Sequence, residues 1–128
     1  MCGRYQLISK ADEVSERFRT TLLTEASRFE RFNIAPTQTV PVVTQADDGR
    51  ELRGMRWGIV PRWMKPTDKG GMPAGWINAR AETAATKPAF RSAFKRRRCL
   101  VPATGFYEWE QRDGAKHPHL IRPADDGS

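Results

Sequence analysis

The chain has 128 residues, a formal net charge of +7 and a sequence pI near 10.0. Its length suits a single domain. It contains no run of 18 apolar residues and no apolar leader, which excludes a membrane-spanning segment and predicts a cytoplasmic protein. The excess of basic residues favours an anionic partner, usually nucleic acid, and two cysteines are too few for a disulfide framework.

The first third of the chain predicts a strand, a helix and an irregular stretch. Residues 3–8 predict a short strand because apolar side chains recur in a β-favouring segment. Ser9 at the N-cap and Asp12 at N3 predict a capped helix over residues 10–18. Residues 20–31 are polar and predict irregular chain that includes at most a helical turn.

The middle of the chain predicts a β-hairpin followed by a long loop. Strands at residues 40–45 and 51–59 flank Asp48-Gly49, which is a strong hairpin-turn signal. Residues 66–75 are rich in glycine and proline and predict an exposed loop, long enough to be functional.

The last third predicts two short helices and three strands. Proline ends the first of these strands, whose apolar run predicts a buried position, and an Asp-Gly pair separates the last two. The predicted helices are residues 81–85 and 88–94, and the predicted strands are residues 99–103, 105–110 and 117–121.

Cys2 is chemically special because removal of Met1 would give one residue both a free α-amine and a thiol. Their reference pKa values of about 7.7–8.0 and 8.5 make both groups partly nucleophilic near neutral pH. The pair can condense with an aldehyde to a Schiff base that closes to a thiazolidine, or it can act as an N-terminal-nucleophile hydrolase. On position alone, an accident of the chain start is the simpler interpretation.

Three other side chains are candidates for chemistry. Glu108 stands between Tyr107 and Trp109, where desolvation would raise its pKa and make it a general acid or base, although a solvent-facing strand glutamate is the commoner case. Asn78 could orient a substrate carbonyl or hydroxyl, or cap a turn. Cys99 lies in an apolar run and is interpreted as an inert core residue.

Arginines alternate with tryptophans along much of the chain. Arginine for phosphate and aromatic rings for base stacking are typical of proteins that bind single-stranded nucleic acid, but the tryptophans could instead be core and the arginines a solvated face. The core is preferred for Trp57, and exposure is at least as good an interpretation for Trp63. His117 and His119 alone do not make a metal site, so no metal and no cofactor is predicted.

Six motifs follow one another along the chain: MCGRY at 1–5, NIAPTQ at 33–38, RWGIVPRW at 56–63, INARAET at 77–83, PAFR at 88–91 and RRCLVPATGFYEW at 97–109. Together these motifs resemble the SRAP family, the SOS response-associated peptidase or abasic-site processing proteins.

The resemblance implies a mixed α/β (α+β) fold with a barrel-like, largely antiparallel curled sheet and flanking helices. Residues 1–128 would form one domain that is the N-terminal portion of the family domain, in keeping with a hydrophobic content of only 38%. It also implies recognition of abasic sites in single-stranded DNA and a thiazolidine DNA–protein crosslink through Cys2, a lyase-like activity. Separately, we expect the chain to be a monomer. An autoproteolytic N-terminal-cysteine peptidase and a non-catalytic single-stranded-DNA-binding module are the alternatives.

The resemblance also implies roles for individual residues. Cys2 would be the nucleophile, Asn78 would hydrogen-bond the reacting sugar, and Glu108 would orient the α-amine and move protons. The remaining residues would contact DNA: Arg4 and Arg80 at phosphates, and Pro36, Trp63 and Trp109 along the strand.

One family feature is not found in the sequence. Family members carry a catalytic histidine in a later His-x-Arg-Met-Pro-type segment, which this sequence lacks, and neither His117 nor His119 is expected to replace it.

Overall fold

The computed structural model describes residues 2–23 and 30–124. None of the helices in this part of the chain is long and apolar enough to cross a membrane. The elements are β1 (Tyr5–Leu7), α1 (Ala11–Phe18), β2 (Thr20–Leu22), β3 (Arg31–Ile34), β4 (Thr39–Ala46), β5 (Gly49–Arg56), α2 (Ala81–Ala84), α3 (Arg91–Arg96), β6 (Gly105–Arg112) and β7 (Ala115–Ile121).

The strands form two sheets, one of four strands in the order β3-β1-β6-β7 and one of three in the order β2-β5-β4. Among the described residues only the β2–β5 pair is parallel. The predicted mixed α/β class with largely antiparallel strands is therefore confirmed. The barrel-like arrangement is looser than expected, because the two sheets do not close on each other.

The core lies between the two sheets and under α1. The first sheet contributes Tyr5, Leu7 and Ile34, and the second contributes mainly β-branched side chains of β4 and Leu52 of β5. These side chains are at most 5% exposed, and Leu52 is fully buried. Because β1 supplies the first sheet's central core residues, the chain segment before it is fixed at the edge of this core.

Helix α1 forms as predicted, but its capping box lies one residue later. The Lys10 backbone N–H donates to Glu13 Oε2 at 3.1 Å, so Lys10 is the N-cap and the predicted pair of Ser9 and Asp12 is wrong. Asp12 instead accepts from the backbone N–H of Glu13. Glutamate has the longer side chain that can reach back to the N-cap amide.

The predicted irregular stretch contains strands at both of its ends. β2 pairs in parallel with β5, and β3 pairs with β1. Each of these strands forms only by pairing with a strand that is distant in the sequence, so the local pattern of apolar residues predicts neither of them. Residues 24–29, where a helical turn was allowed, lie outside the described residues.

The predicted buried strand at residues 99–103 is wrong. Only Leu100 pairs, in an isolated bridge with Val43, and Leu100 and Val101 are 56% and 51% exposed. Pro102 has no N–H to continue a ladder. Cys99 is likewise exposed and not a core residue. The helix predicted at residues 88–94 begins later, at Arg91.

The predicted loop at residues 66–75 is confirmed and is tied to the end of β5. The Arg56 guanidinium donates to the carbonyl oxygens of Pro73 at 3.1 Å and Ala74 at 3.3 Å. Gly75 then adopts a φ of 77° against Ile59, where any Cβ would meet the Ile59 carbonyl. This close approach sets the position of the chain that follows the loop.

Candidate functional site

Cys2 is held just before β1 by contacts with distant parts of the chain. Asn78 Nδ2 donates to the Cys2 carbonyl oxygen at 3.1 Å. The Cys2 thiol donates to the Arg4 carbonyl oxygen at 3.4 Å, and the same oxygen accepts from the Tyr107 backbone N–H of β6 at 2.9 Å. Cys2 is half-buried, so its position is constrained without the thiol being enclosed.

Asn78 is fixed by backbone contacts on its N-terminal side. Ile59 and Trp76 exchange hydrogen bonds of 2.9 and 3.0 Å, and Trp57 Nε1 donates to the Ile77 carbonyl oxygen at 3.2 Å. Its side-chain amide reaches Cys2 instead of capping a turn. Two residues predicted separately are thus brought into direct contact.

Both residues line a cavity of about 1150 Å³ between the two sheets. Its walls include the rings of Tyr5, Trp57 and Phe106, together with arginines that follow α3. A cavity of this size can hold a nucleoside-sized group beside Cys2.

Tyr5 also lines this cavity, and the sequence alone does not single it out because tyrosine fits the apolar pattern of the strand predicted at residues 3–8. Its side chain is 5% exposed, and its hydroxyl has no hydrogen-bond partner among the described residues. Burial raises the pKa of the Tyr5 phenol to about 12, with Arg31 lowering the pKa and Cys2 raising it. The phenol is therefore a neutral donor near Cys2 over the physiological pH range.

Glu108 is half-buried on β6, opposite His119 of β7. Side chains two apart on a strand share a face, so Glu108 shares the face of Phe106, which lines the cavity. Tyr107 and Trp109 alternate with Glu108 and project from the other face of β6, where their rings lie 6.5 Å apart. Glu108 itself is not among the residues that line the cavity.

The predicted phosphate ligands lie in different surroundings. Arg4 Nη1 donates to Asn33 Oδ1 at 3.1 Å, which holds the guanidinium beside β3. Arg80 is exposed and is the N-cap residue of α2. Pro36 is half-buried in the turn after β3. The sequence alone does not predict the contact between Asn33 and Arg4, although Asn33 begins one of the six motifs.

The tryptophans divide as the sequence indicated. Trp57 packs against the core and meets the Tyr5 ring edge-on at 5.4 Å, while Trp63 is 63% exposed. Trp63 lies 5.6 Å from Trp76 between ring centroids. Trp109 is also partly exposed but lies apart from this pair, 6.5 Å from the Tyr107 ring.

No metal site is found within the described ranges 2–23 and 30–124, where no group of three or more His, Cys, Asp or Glu side chains could hold an ion. His119 Nε2 lies 3.1 Å from Glu110 Oε2. Cys99 lines the same cavity as Cys2 and is exposed, although neighbouring atoms desolvate its thiol enough to raise its pKa.

Comparison with known proteins gives consistent relatives. The chain is 38% identical over 114 residues to the abasic site processing protein YoqW of Bacillus subtilis, covering 88% of this chain and 50% of YoqW. It is 36% identical over 119 residues to the abasic site processing protein HMCES of Gallus gallus, covering 86% of this chain and 35% of HMCES. The chain spans about half the length or less of these curated relatives.

A solved structure and a family model agree with these relatives. A crystal structure of a Bacteroides thetaiotaomicron protein matches with a TM-score of 0.76 and 26% identity, covering 98% of this chain and 56% of that one. The family model described as SOS response associated peptidase (SRAP) matches residues 1–128. The chain therefore belongs to the SRAP family.

Proposed function

We propose that this chain recognises abasic sites in single-stranded DNA and links covalently to their aldehyde through Cys2 once Met1 has been removed. The observation that carries the proposal is the 3.1 Å contact of Asn78 Nδ2 with the Cys2 carbonyl oxygen beside a cavity of about 1150 Å³. Relatives named abasic site processing proteins support the choice of substrate.

The reaction joins both nucleophiles of Cys2 to one carbon. The α-amine adds to the aldehyde of the ring-opened sugar and one water leaves, giving a Schiff base. The thiol sulfur then adds to the imine carbon and its proton passes to the nitrogen, closing a five-membered thiazolidine. No oxidant or reductant is needed, and the amine is partly unprotonated near neutral pH.

Asn78 and Glu108 are assigned supporting roles in this reaction. Asn78 uses one amide hydrogen to hold Cys2, which leaves its second amide hydrogen and its carbonyl oxygen for the sugar. Glu108 lies on the cavity face of β6, and its carboxylate would orient the α-amine and carry protons during loss of water.

The DNA strand is proposed to run over the surface around the cavity. Arg4, with its guanidinium held by Asn33, and Arg80 would contact phosphates on either side of the abasic site. The exposed ring of Trp63, and Trp109 with Pro36, would contact neighbouring nucleotides by stacking and packing.

The test is incubation of the methionine-processed protein, verified by intact mass, with single-stranded DNA that contains one abasic site. We expect a heat-stable adduct on a denaturing gel that Cys2→Ala abolishes. Cys99→Ala is the matched control, because Cys99 lines the same cavity. This variant should leave the adduct intact. Asn78→Ala should slow adduct formation without changing binding of undamaged DNA.

The same experiment separates the alternatives. An adduct that survives Cys2→Ala would overturn the mechanism. Binding of the abasic strand with no covalent product from the processed protein would indicate a binding module. Thiol-dependent cleavage of peptides in the absence of DNA would indicate the peptidase activity for which the family is named.

A further inference from the structure

The segment around α3 holds most of the chain's excess charge. Residues 83–107 contain six of the 22 lysine and arginine residues and none of the 15 acidic residues, so they account for all but one unit of the +7 net charge. The ion pairs found among the described residues all involve acidic side chains of β5, β6 and the β6–β7 turn, and none involves these six cations. This charge is therefore not neutralised within the described structure.

Part of this segment forms a concave surface, which we call the basic hollow. Its volume is about 670 Å³. Phe94 is 45% exposed there, and the Arg98 guanidinium carbon lies 5.9 Å from the centre of its ring. Four cations and a partly exposed aromatic ring thus surround one depression. The lining side chains used in this argument are Arg91, Phe94, Lys95, Arg96 and Arg98.

The basic hollow is continuous with the candidate site. Arg96 and Arg98 line both the hollow and the cavity that contains Cys2. On the other side, Phe90 precedes α3 and packs 6.2 Å from Trp76, the residue that meets Trp63. A strand that reaches Cys2 could therefore continue into the hollow without leaving the basic surface.

We propose that the basic hollow binds the sugar–phosphate backbone of a single-stranded nucleic acid away from the reacting nucleotide, with Phe94 stacking on a base. The inference rests on the proposed function and adds a second anchoring point to it. Arginine matches phosphate geometry, and an aromatic face stacks on any base. Phosphate contacts carry no direct sequence information, so the hollow binds damaged and undamaged strands alike.

The experiment measures binding of a fluorescent, undamaged single-stranded oligonucleotide to the full chain by anisotropy over a salt series. Each phosphate contact contributes a slope of about −0.7 in log K against log salt. The double variant Arg91→Gln/Lys95→Gln should therefore bind more weakly, with a slope smaller by about 1.4. Lys65→Gln/Lys69→Gln removes the same charge from two exposed residues, one just before the 66–75 loop and one within it, and should change the slope by less than half as much.

Phe94→Leu tests the stacking contact separately. Loss of one stacked base should weaken binding about fivefold or more while leaving the salt slope unchanged. Thermal unfolding of each variant verifies that it folds. If the folded double variant binds with wild-type affinity and salt slope, the proposal is overturned. A competition experiment gives a second check: the proposal is also overturned if polyglutamate displaces the oligonucleotide as readily as unlabelled DNA of equal charge does.

The outcome is independent of the covalent reaction. Binding of undamaged DNA requires no aldehyde, so Cys2→Ala should show the wild-type slope. If no crosslink forms but the hollow variants lose affinity, the proposed reaction fails and the hollow stands. If the crosslink forms but the hollow variants bind normally, the proposed reaction stands and the proposal for the basic hollow fails.

Discussion

Replacing Tyr5 by phenylalanine should make the protein more stable. The Tyr5 hydroxyl is buried without a hydrogen-bond partner in the described structure, and the ring packs between the core and Trp57. A buried, unpaired hydroxyl costs about 1–3 kcal/mol, whereas the phenylalanine ring keeps the apolar contacts. For a domain of this size, each kcal/mol raises the Tm by about 3–6 °C.

The stabilisation by Tyr5→Phe should grow at alkaline pH, because the pKa of Tyr5 is raised in the folded protein. Burial raises the pKa of Tyr5 from 10.0 to about 12, so the unfolded chain loses this proton before the folded chain does. The part of the stability that depends on Tyr5 keeping its proton in the folded state is therefore fully present below pH 10 and is lost as pH rises towards 12. At about 1.36 kcal/mol per pH unit, the loss approaches roughly 2–3 kcal/mol.

The assay is urea unfolding of wild type and Tyr5→Phe at pH 7, 10 and 11.5. Taking the difference between the two proteins cancels the effects of alkaline pH that both proteins share. We expect the variant to be more stable at pH 7, with the gap widening at pH 11.5. A variant that is clearly less stable at pH 7, or a gap that does not change with pH, would refute the reasoning.

Three further substitutions test other parts of the fold. Leu52→Ala, at a fully buried position, should cost about 2–5 kcal/mol and lower the urea midpoint. Gly75→Ala should destabilise more than Gly114→Ala in thermal unfolding, because both have positive φ but only the first Cβ meets backbone atoms. Arg56→Met should speed proteolysis within residues 66–75, whereas Arg53→Met on the same strand should not. Equal effects within either pair would contradict these assignments.

Elements with a local signal were predictable from the sequence. The β4–β5 and β6–β7 hairpins each turn at an Asp-Gly pair, and Asp113 and Gly114 have the positive φ values that such turns need. β2 and β3 had no such signal, because each exists only through pairing with a strand elsewhere in the chain. At Leu100 the error was the opposite, since an apolar run predicted a strand where backbone pairing is limited to one bridge.

The candidate site was predictable as a set of residues but not as an arrangement. Cys2, Asn78 and Glu108 follow from chemistry and from motif resemblance, and the resemblance implied a sugar ligand for Asn78. The bond from Asn78 to the Cys2 backbone spans 76 positions and leaves no local trace in the sequence. The Tyr5 hydroxyl also leaves no local trace in the sequence, because its lack of a hydrogen-bond partner within the described residues depends on all the elements packed around it.

These long-range contacts give Cys2 a defined position near the start of the sequence. A terminal residue is normally mobile, because few contacts offset the entropy of ordering it. Here β6 fixes the Arg4 carbonyl that the Cys2 thiol contacts, and the segment after Gly75 brings Asn78 to the Cys2 carbonyl. Cys2 is thus held both by β6 of the four-stranded sheet and by the segment after Gly75. In the proposed reaction, its reactivity towards an aldehyde should depend on how these two parts of the chain are joined as much as on the thiol itself.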